Sequence, residues 1–174
     1  DGFELIIENS MATSLFEELL EKGKKNGLIP CGLGCRDTLR LEAALPLYSQ
    51  ELDEKHSPLQ AMINWSVKLN KPYDFIGKKA IIEGQNSLFS DVMIGFEVIG
   101  RSIPRTDMEI LNDKDEKIGY VTSGTFSPTL KKNLGIAYIK KEYKDASELK
   151  IRVRNRIENI KVLNLPFYKR AKGV

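Results

Sequence analysis

The chain opens on an alternation. Phe3, Leu5 and Ile7 fall on one side of an extended segment and Glu4 and Ile6 on the other, so the spacing predicts a strand over 3–7 with one carboxylate intruding on an apolar face. After Asn9-Ser10, a candidate helix cap, the period changes. Ala12, Leu15, Phe16, Leu19 and Leu20 recur at the spacing of an amphipathic helix, which Gly23 closes. Lys22, Lys24 and Lys25 have a sufficient role at the negative end of that helix. Residues 27–34 are rich in turn-formers and lead into CRDTLRLEAALPLY, residues 35–48, where four charges interrupt a run that otherwise reads as a short, half-buried helix. Arg36 and Arg40 stand one turn apart and share a side of it. That pattern fits a helix with a solvated face, and it fits charges aimed at a ligand. Pro46 breaks the run, and a polar loop through His56 follows. Ile63, Trp65, Val67 and Leu69 then alternate with polar neighbours, which predicts a strand with Trp65 on its apolar face. Asp74 can cap a helix reaching about Glu83, with Ile76 and Ala80 one turn apart.

Past a polar stretch at 84–91 the pattern becomes one of short β-type runs: 92–99, 108–111, 118–122, 134–139, 149–153 and 157–162. Six such runs with turn residues between them predict a small barrel or sandwich, and they set a domain boundary near residue 90. Asn112-Asp113-Lys114-Asp115 and Asn155 carry the chemistry of tight turns between paired strands. Gly124 and Pro128 are expected in loops, and the only room for a helix is around 142–148.

Composition narrows the function classes. With 174 residues, 41% of them hydrophobic, the chain can bury a sizeable core and reads as a globular protein. Its 27 basic and 24 acidic side chains leave +3, spread along the sequence, which gives little footing for a polyanion partner. There is no apolar run near the roughly 20 residues that a bilayer crossing needs. Cys31 and Cys35, with glycines between them, and the single histidine, His56, do not make a four-ligand zinc site. The pair reads as reduced, small apolar filler suited to a reducing compartment: the cytoplasm, or the mitochondrion in a eukaryote. The Gly77-Lys78-Lys79 run is not a phosphate loop, because Pro72 stands where that motif requires glycine. No nucleophile–base pair is recognisable.

Four separated stretches then meet in order and spacing: DGFE at residues 1–4, GLGCRDTLRLEAALPLYSQELDE, INWSVKLNKPYDFIGKKA and IGYVTSGTFSPTLKKNLGIAYI. Together they closely resemble the T protein of the glycine cleavage system, an aminomethyltransferase family. The resemblance implies an α+β fold class, the end of a folate-binding α/β core over 1–90 followed by a small antiparallel β-barrel over 91–174. It implies transfer of a one-carbon unit from a lipoyl-bound aminomethyl group to tetrahydrofolate, with release of ammonia. The implied partners are tetrahydrofolate and the lipoyl-carrying H protein, with no nucleic acid, membrane or metal. It also implies that the family's acidic catalytic residue lies upstream of Asp1, so no catalytic residue is named and the chain alone is expected to be inactive.

Two positions match the family's folate contacts. Glu4 stands at the glutamate of the Asp-Gly-x-Glu pattern, where a carboxylate can accept two parallel N–H groups from a pterin. The alternative is an edge strand with Glu4 in water. Arg36, in the Gly-Leu-x-x-Arg-Asp run, can clamp the pterin carbonyl or the carboxylates of the glutamate tail. Asp37, Arg40 and Glu42 read as structural, and Trp65 as a core residue. Cys31 and Cys35 depart from the small residues usual there, and Tyr168-Lys169-Arg170 matches a further folate-side region only loosely. Two other functions stay open: the folate module of dimethylglycine or sarcosine dehydrogenases, and a barrel whose basic strand Ile151–Arg156 binds nucleic acid.

Overall fold

A computed structural model describes residues 2–86, 89–146 and 148–170. The chain divides into two compact units, Asp1–Arg36 and Asp37–Val174.

In the first unit, residues 2–8 form neither helix nor ladder, so the strand expected over 3–7 is absent. Alternation alone does not make a strand, because its backbone groups need a partner edge. Helix α1 runs Asn9–Gly23, with Glu8 at the N-cap position and no side-chain cap; Asn9 and Ser10 lie inside the first turn. A 3-10 turn, Lys24–Asn26, follows and ends at Gly27 with φ 79°. Helix α2, Leu33–Glu42, contains the division between the units.

In the second unit, the segment before the barrel departs from its pattern twice. Residues 63–69 form no strand; Asn64–Ser66 is a 3-10 turn and Trp65 is 64% exposed. Local side-chain bonds win there: Ser66 Oγ donates to the Ile63 carbonyl at 2.7 Å and Lys68 Nζ to the Trp65 carbonyl at 2.8 Å, offering the backbone an alternative to a ladder. Helix α3 runs Lys78–Asn86, starting three residues later than a cap at Asp74 predicts. Gly77 adopts φ 90° and its carbonyl accepts the Ile81 N–H at 2.9 Å, so the helix begins only after this left-handed residue.

Six antiparallel strands close a barrel in the order β1-β4-β3-β2-β5-β6. They are β1 Asp91–Val98, β2 Glu109–Leu111, β3 Lys117–Ser127, β4 Lys132–Lys140, β5 Leu149–Val153 and β6 Arg156–Leu163. Each of the six predicted runs is a strand. Gly124, expected in a loop, lies within β3, which is longer than its apolar run, while Pro128 is in the turn that follows. Lys141–Tyr143 is a 3-10 turn in place of a helix near 142–148. Asp115 and Arg154 take φ 62° and 56° in the two tight turns.

Alternate residues of all six strands, among them Phe96, Ile110, Val121, Ile139, Ile151 and Ile160, fill the interior. On β4 the outer face is buried as well: Leu134, Ile136 and Tyr138 pack with Met93 and with Leu41 of α2. That double burial explains why LGIAYI is continuously apolar. Small and large residues face each other across β1 and β4, with Phe96 opposite Gly135 and Ile94 opposite Ala137.

A bulge directs polar chemistry outward. β3 pairs Val121 with Ala137 but Ser123 with Ile136, so Thr122 is the extra residue. The extra residue reverses the side-chain alternation. Ser123 therefore leaves the interior and meets Arg40, Gln50 and Glu51. Arg40 donates from Nη1 to Glu51 Oε2, and from Nη2 to Gln50 Oε1 and Ser123 Oγ, each at 2.8 Å, and from Nε to Asp37 at 2.7 Å. Glu51 is fully buried; it also accepts the Leu47 N–H at 3.0 Å and Ser123 Oγ–H at 2.5 Å. Nearby, Tyr138 donates its hydroxyl to the Glu51 carbonyl at 2.9 Å and stacks on His56, ring centroids 4.3 Å apart. Burial, then the neighbouring Tyr120, Glu51, Asp53 and Asp91, pushes the Tyr138 phenol far above its ordinary value, so it remains a donor. Glu42 accepts from Ser127 Oγ at 2.5 Å, and its carbonyl accepts the Tyr168 N–H at 2.9 Å.

Two outcomes follow in urea or thermal unfolding. Arg40→Met strands a buried carboxylate and should cost about 3–5 kcal/mol, whereas adding Glu51→Leu to it should recover at least half of that. A single variant as stable as the parent would show that the pair is not buried in solution. At Gly119 an added Cβ would lie 2.1 Å from the Tyr138 carbonyl oxygen, so Gly119→Ala must push β3 from β4 and should cost about 1–3 kcal/mol.

Candidate functional site

The stretch with four charges separates into two kinds of group. Arg40 and Glu42 are committed to the second unit, each held by the contacts just described, and Asp37 shares the Arg40 guanidinium. These three are structural, in line with their reading from sequence. Arg36 is different. It sits in the first turn of α2, in the first unit, with its backbone N–H on the Gly32 carbonyl at 3.3 Å and its side chain exposed.

Glu4 lies in the same unit, in the segment before α1, and it too is exposed. Its neighbours Phe3 and Ile6 are 94% and 98% exposed, so the apolar face predicted around it is present as residue types but uncovered. Among the described residues, no ion pair joins Glu4 or Arg36 to each other or to any other charge. A carboxylate with both oxygens open can accept two parallel donors, and a guanidinium with its fork open can donate two, which is chemistry suited to a planar amide-like ring and to an anion. Asp1, the first residue of the motif that carries Glu4, lies outside the described residues.

The cysteines are not apolar filler. Cys31 and Cys35 are both exposed; Cys31 lies just before α2 and Cys35 within its first turn. The hydrogen bond with Cys31, then its charge, raises the Cys35 thiol above its ordinary value. Trp65, read as core, lines an open cleft of about 690 Å³ in the second unit with Leu59, Asn64, Val67 and Lys68. Arg105, Arg154 and Arg156 line another of about 620 Å³ at the barrel. The basic strand is partly neutralised, since Arg152 donates to Glu109 at 3.0 Å. No described helix is long and apolar enough to cross a membrane. Sequence reasoning missed Gln50, Glu51, Ser123 and Tyr138 as one network; a serine in a β-run beside glycine was the only local trace of the bulge.

Comparison with known proteins agrees with this architecture. Residues 1–71 match the GCVT N-terminal domain and residues 92–169 the glycine cleavage T-protein C-terminal barrel domain. An aminomethyltransferase of Bacillus mycoides (strain KBAB4) is 49% identical over 173 residues, which is 99% of this chain and 47% of that protein. One of Geobacillus sp. (strain WCH70) is 45% identical over 173 residues, again 99% of this chain and 47% of the relative. Among solved structures, the glycine cleavage system aminomethyltransferase T from Bartonella henselae superposes with a TM-score of 0.80 at 28% identity, covering 91% of this chain and 44% of that one. The chain thus spans about half the length of the curated relatives it matches. Two family domains in sequence, the closed barrel and an identity near one half along nearly the whole chain lead to one assignment: the chain belongs to the glycine cleavage T-protein family.

Proposed function

We propose that this chain forms part of a tetrahydrofolate-dependent aminomethyltransferase of the glycine cleavage system. The whole enzyme takes the aminomethyl group from the lipoyl arm of an H protein, releases ammonia and passes the one-carbon unit to tetrahydrofolate. The observation that carries this reading is the identity of 45% and 49% to proteins named aminomethyltransferase over 99% of the chain. In this reading residues 1–90 belong to the folate-binding core and residues 91–174 form the barrel domain. The family matches, which end at 71 and resume at 92, support that division.

Glu4 and Arg36 are the folate contacts. Glu4 accepts the exocyclic amino group and adjacent ring N–H of the pterin, which orients the ring; Arg36 supplies a fork to the pterin carbonyl or to the carboxylates of the glutamate tail. Their exposure and their lack of ion pairs among the described residues support the assignment, because no described contact accounts for either charge. Aspartate, arginine and glutamate at 37, 40 and 42 do have such roles and bear only indirectly on substrate. By the same family reading the enzyme works in the cytoplasm, or in the mitochondrion of a eukaryotic source.

The test uses a full-length chimera in which residues 1–174 replace the corresponding half of the Bacillus mycoides relative. It should form methylene-tetrahydrofolate from a lipoyl-bound aminomethyl donor; no turnover in a folded chimera would overturn the function. In the same protein, Glu4→Gln turns one acceptor into a donor facing a donor and should weaken tetrahydrofolate binding by about 2–3 kcal/mol, roughly a hundredfold by calorimetric titration. Arg36→Lys keeps the charge but loses the fork, for a loss of about 1–2 kcal/mol with thermal stability nearly unchanged. Unchanged affinity in both variants would remove both residues from the folate site.

A further inference from the structure

The barrel gathers three arginines at one cleft. Arg105, Arg154, Asn155 and Arg156 line an open space of about 620 Å³, and no aspartate or glutamate is among the residues that line it. Among the described residues none of these three arginines joins an ion pair, whereas Arg40 and Arg152 both do. The carboxylates of the adjoining strands are engaged elsewhere. Glu109 of β2 takes Arg152 and Lys117, at 3.0 and 3.4 Å, and Glu158 of β6 accepts the Ser102 hydroxyl. Like charges gathered at one cleft repel, and an anion bound between them removes that cost. Both walls are fixed by the fold. The loop that bears Arg105 is tied to β3: the Asp107 N–H donates to the Val121 carbonyl and Thr106 Oγ1 to the Thr122 carbonyl, each at 2.9 Å, and Arg105 Nη1 to the Gly124 carbonyl at 3.1 Å. It lies so close to β3 that a Cβ on Gly124 would stand 2.4 Å from the Pro104 carbonyl oxygen. The other wall is the β5–β6 hairpin, closed by Val153 opposite Arg156. Its turn puts Arg154 at φ 56°, a region that favours glycine or asparagine, although an asparagine is the next residue. No described ion pair compensates that strained position.

We propose that this cleft binds a small organic diphosphate, of the size and charge of a nucleoside diphosphate. A guanidinium meets phosphate oxygens through two parallel N–H groups, and a diphosphate sets further charge on the adjoining group, so one ligand can engage more than one arginine. A lone carboxylate offers a single charge to the same cluster. Ile103 and Met108 add apolar surface to the cleft, which suits the organic part of such a ligand. Its volume falls within the roughly 300–1,000 Å³ of small-molecule sites. A strand of nucleic acid fits the cleft less well. No aromatic side chain lines it for bases to stack on, and the basic track along β5 is interrupted where Arg152 donates to Glu109. The inference stands on the second unit alone and does not depend on the folate reading.

The experiment titrates the 174-residue chain with ADP, AMP and citrate by calorimetry. ADP is expected to saturate one site and to bind at least about tenfold more tightly than AMP or citrate, because its second phosphate engages a further guanidinium. Arg154→Gly removes a charge and relieves the left-handed position. It should weaken ADP binding at least about tenfold while the melting temperature stays level or rises, so the loss cannot be traced to unfolding. Arg156→Gln should weaken binding by a similar factor. Glutamine at both Lys24 and Lys25 removes two charges from the first unit and should leave ADP affinity within about twofold of the parent. No saturable heat up to about 10 mM ADP, AMP or citrate bound as tightly as ADP, or equal losses in the arginine and lysine variants would overturn the proposal. So would a single-stranded oligonucleotide that binds more tightly than ADP and weakens in the same arginine variants, which would make the cleft part of a nucleic-acid interface.

Discussion

The second unit depends on one buried ion pair. Arg40 lies in the last turn of α2 and Glu51 in the irregular segment that follows it, and removing either partner would leave the other's charge buried and unpaired. A buried pair of this kind is weak as a net source of stability, since removing two ions from water costs about as much as their attraction returns. Its value lies in selection. The Arg40 fork is filled by Glu51, Gln50, Ser123 and Asp37 in one arrangement, and any other register of the loop leaves several of these groups unsatisfied.

That arrangement in turn requires the bulge at Thr122. In a regular β3, Ser123 would share the face of Val121 and point its hydroxyl into an apolar interior. The extra residue turns it outward, and Thr122 anchors the irregularity by donating from Oγ1 to the Ile136 carbonyl at 3.1 Å. Tyr138, two positions along β4 from Ile136, completes the contact by donating to the Glu51 backbone. The irregular loop is thus held by side chains that reach it from two strands, which is how a segment without a ladder of its own keeps a defined position.

What sequence could reveal followed the same division. The six barrel strands were legible because each closes its backbone bonds with neighbours of the same pattern, so a short apolar run with turns on both sides is sufficient information. Residues 3–7 and 63–69 carry as good an alternation, yet the first has no ladder and the second is diverted by Ser66 and Lys68 bonding to nearby carbonyls. Pattern reports which faces are apolar, and does not report whether a partner edge exists. The network around Arg40 was illegible for a further reason: its bonded members lie up to 87 positions apart, and the place of Ser123 in it depends on a bulge that shifts register by one residue.

The same reasoning orders the charges of CRDTLRLEAALPLY by role. A charge whose removal would strand a buried partner is explained by the fold, and Arg40 and Glu42 meet that condition through Glu51 and Ser127. Arg36 does not, nor does Glu4: both are exposed, and among the described residues neither joins an ion pair. Exposure alone would be unremarkable for an arginine or a glutamate on most surfaces. Here it is informative because Glu4 is flanked by Phe3, Leu5 and Ile6, which are exposed as well, in a segment with no ladder to explain the sequence. A segment that sets one carboxylate among large apolar side chains and buries none of them within its own unit has the composition of a contact surface.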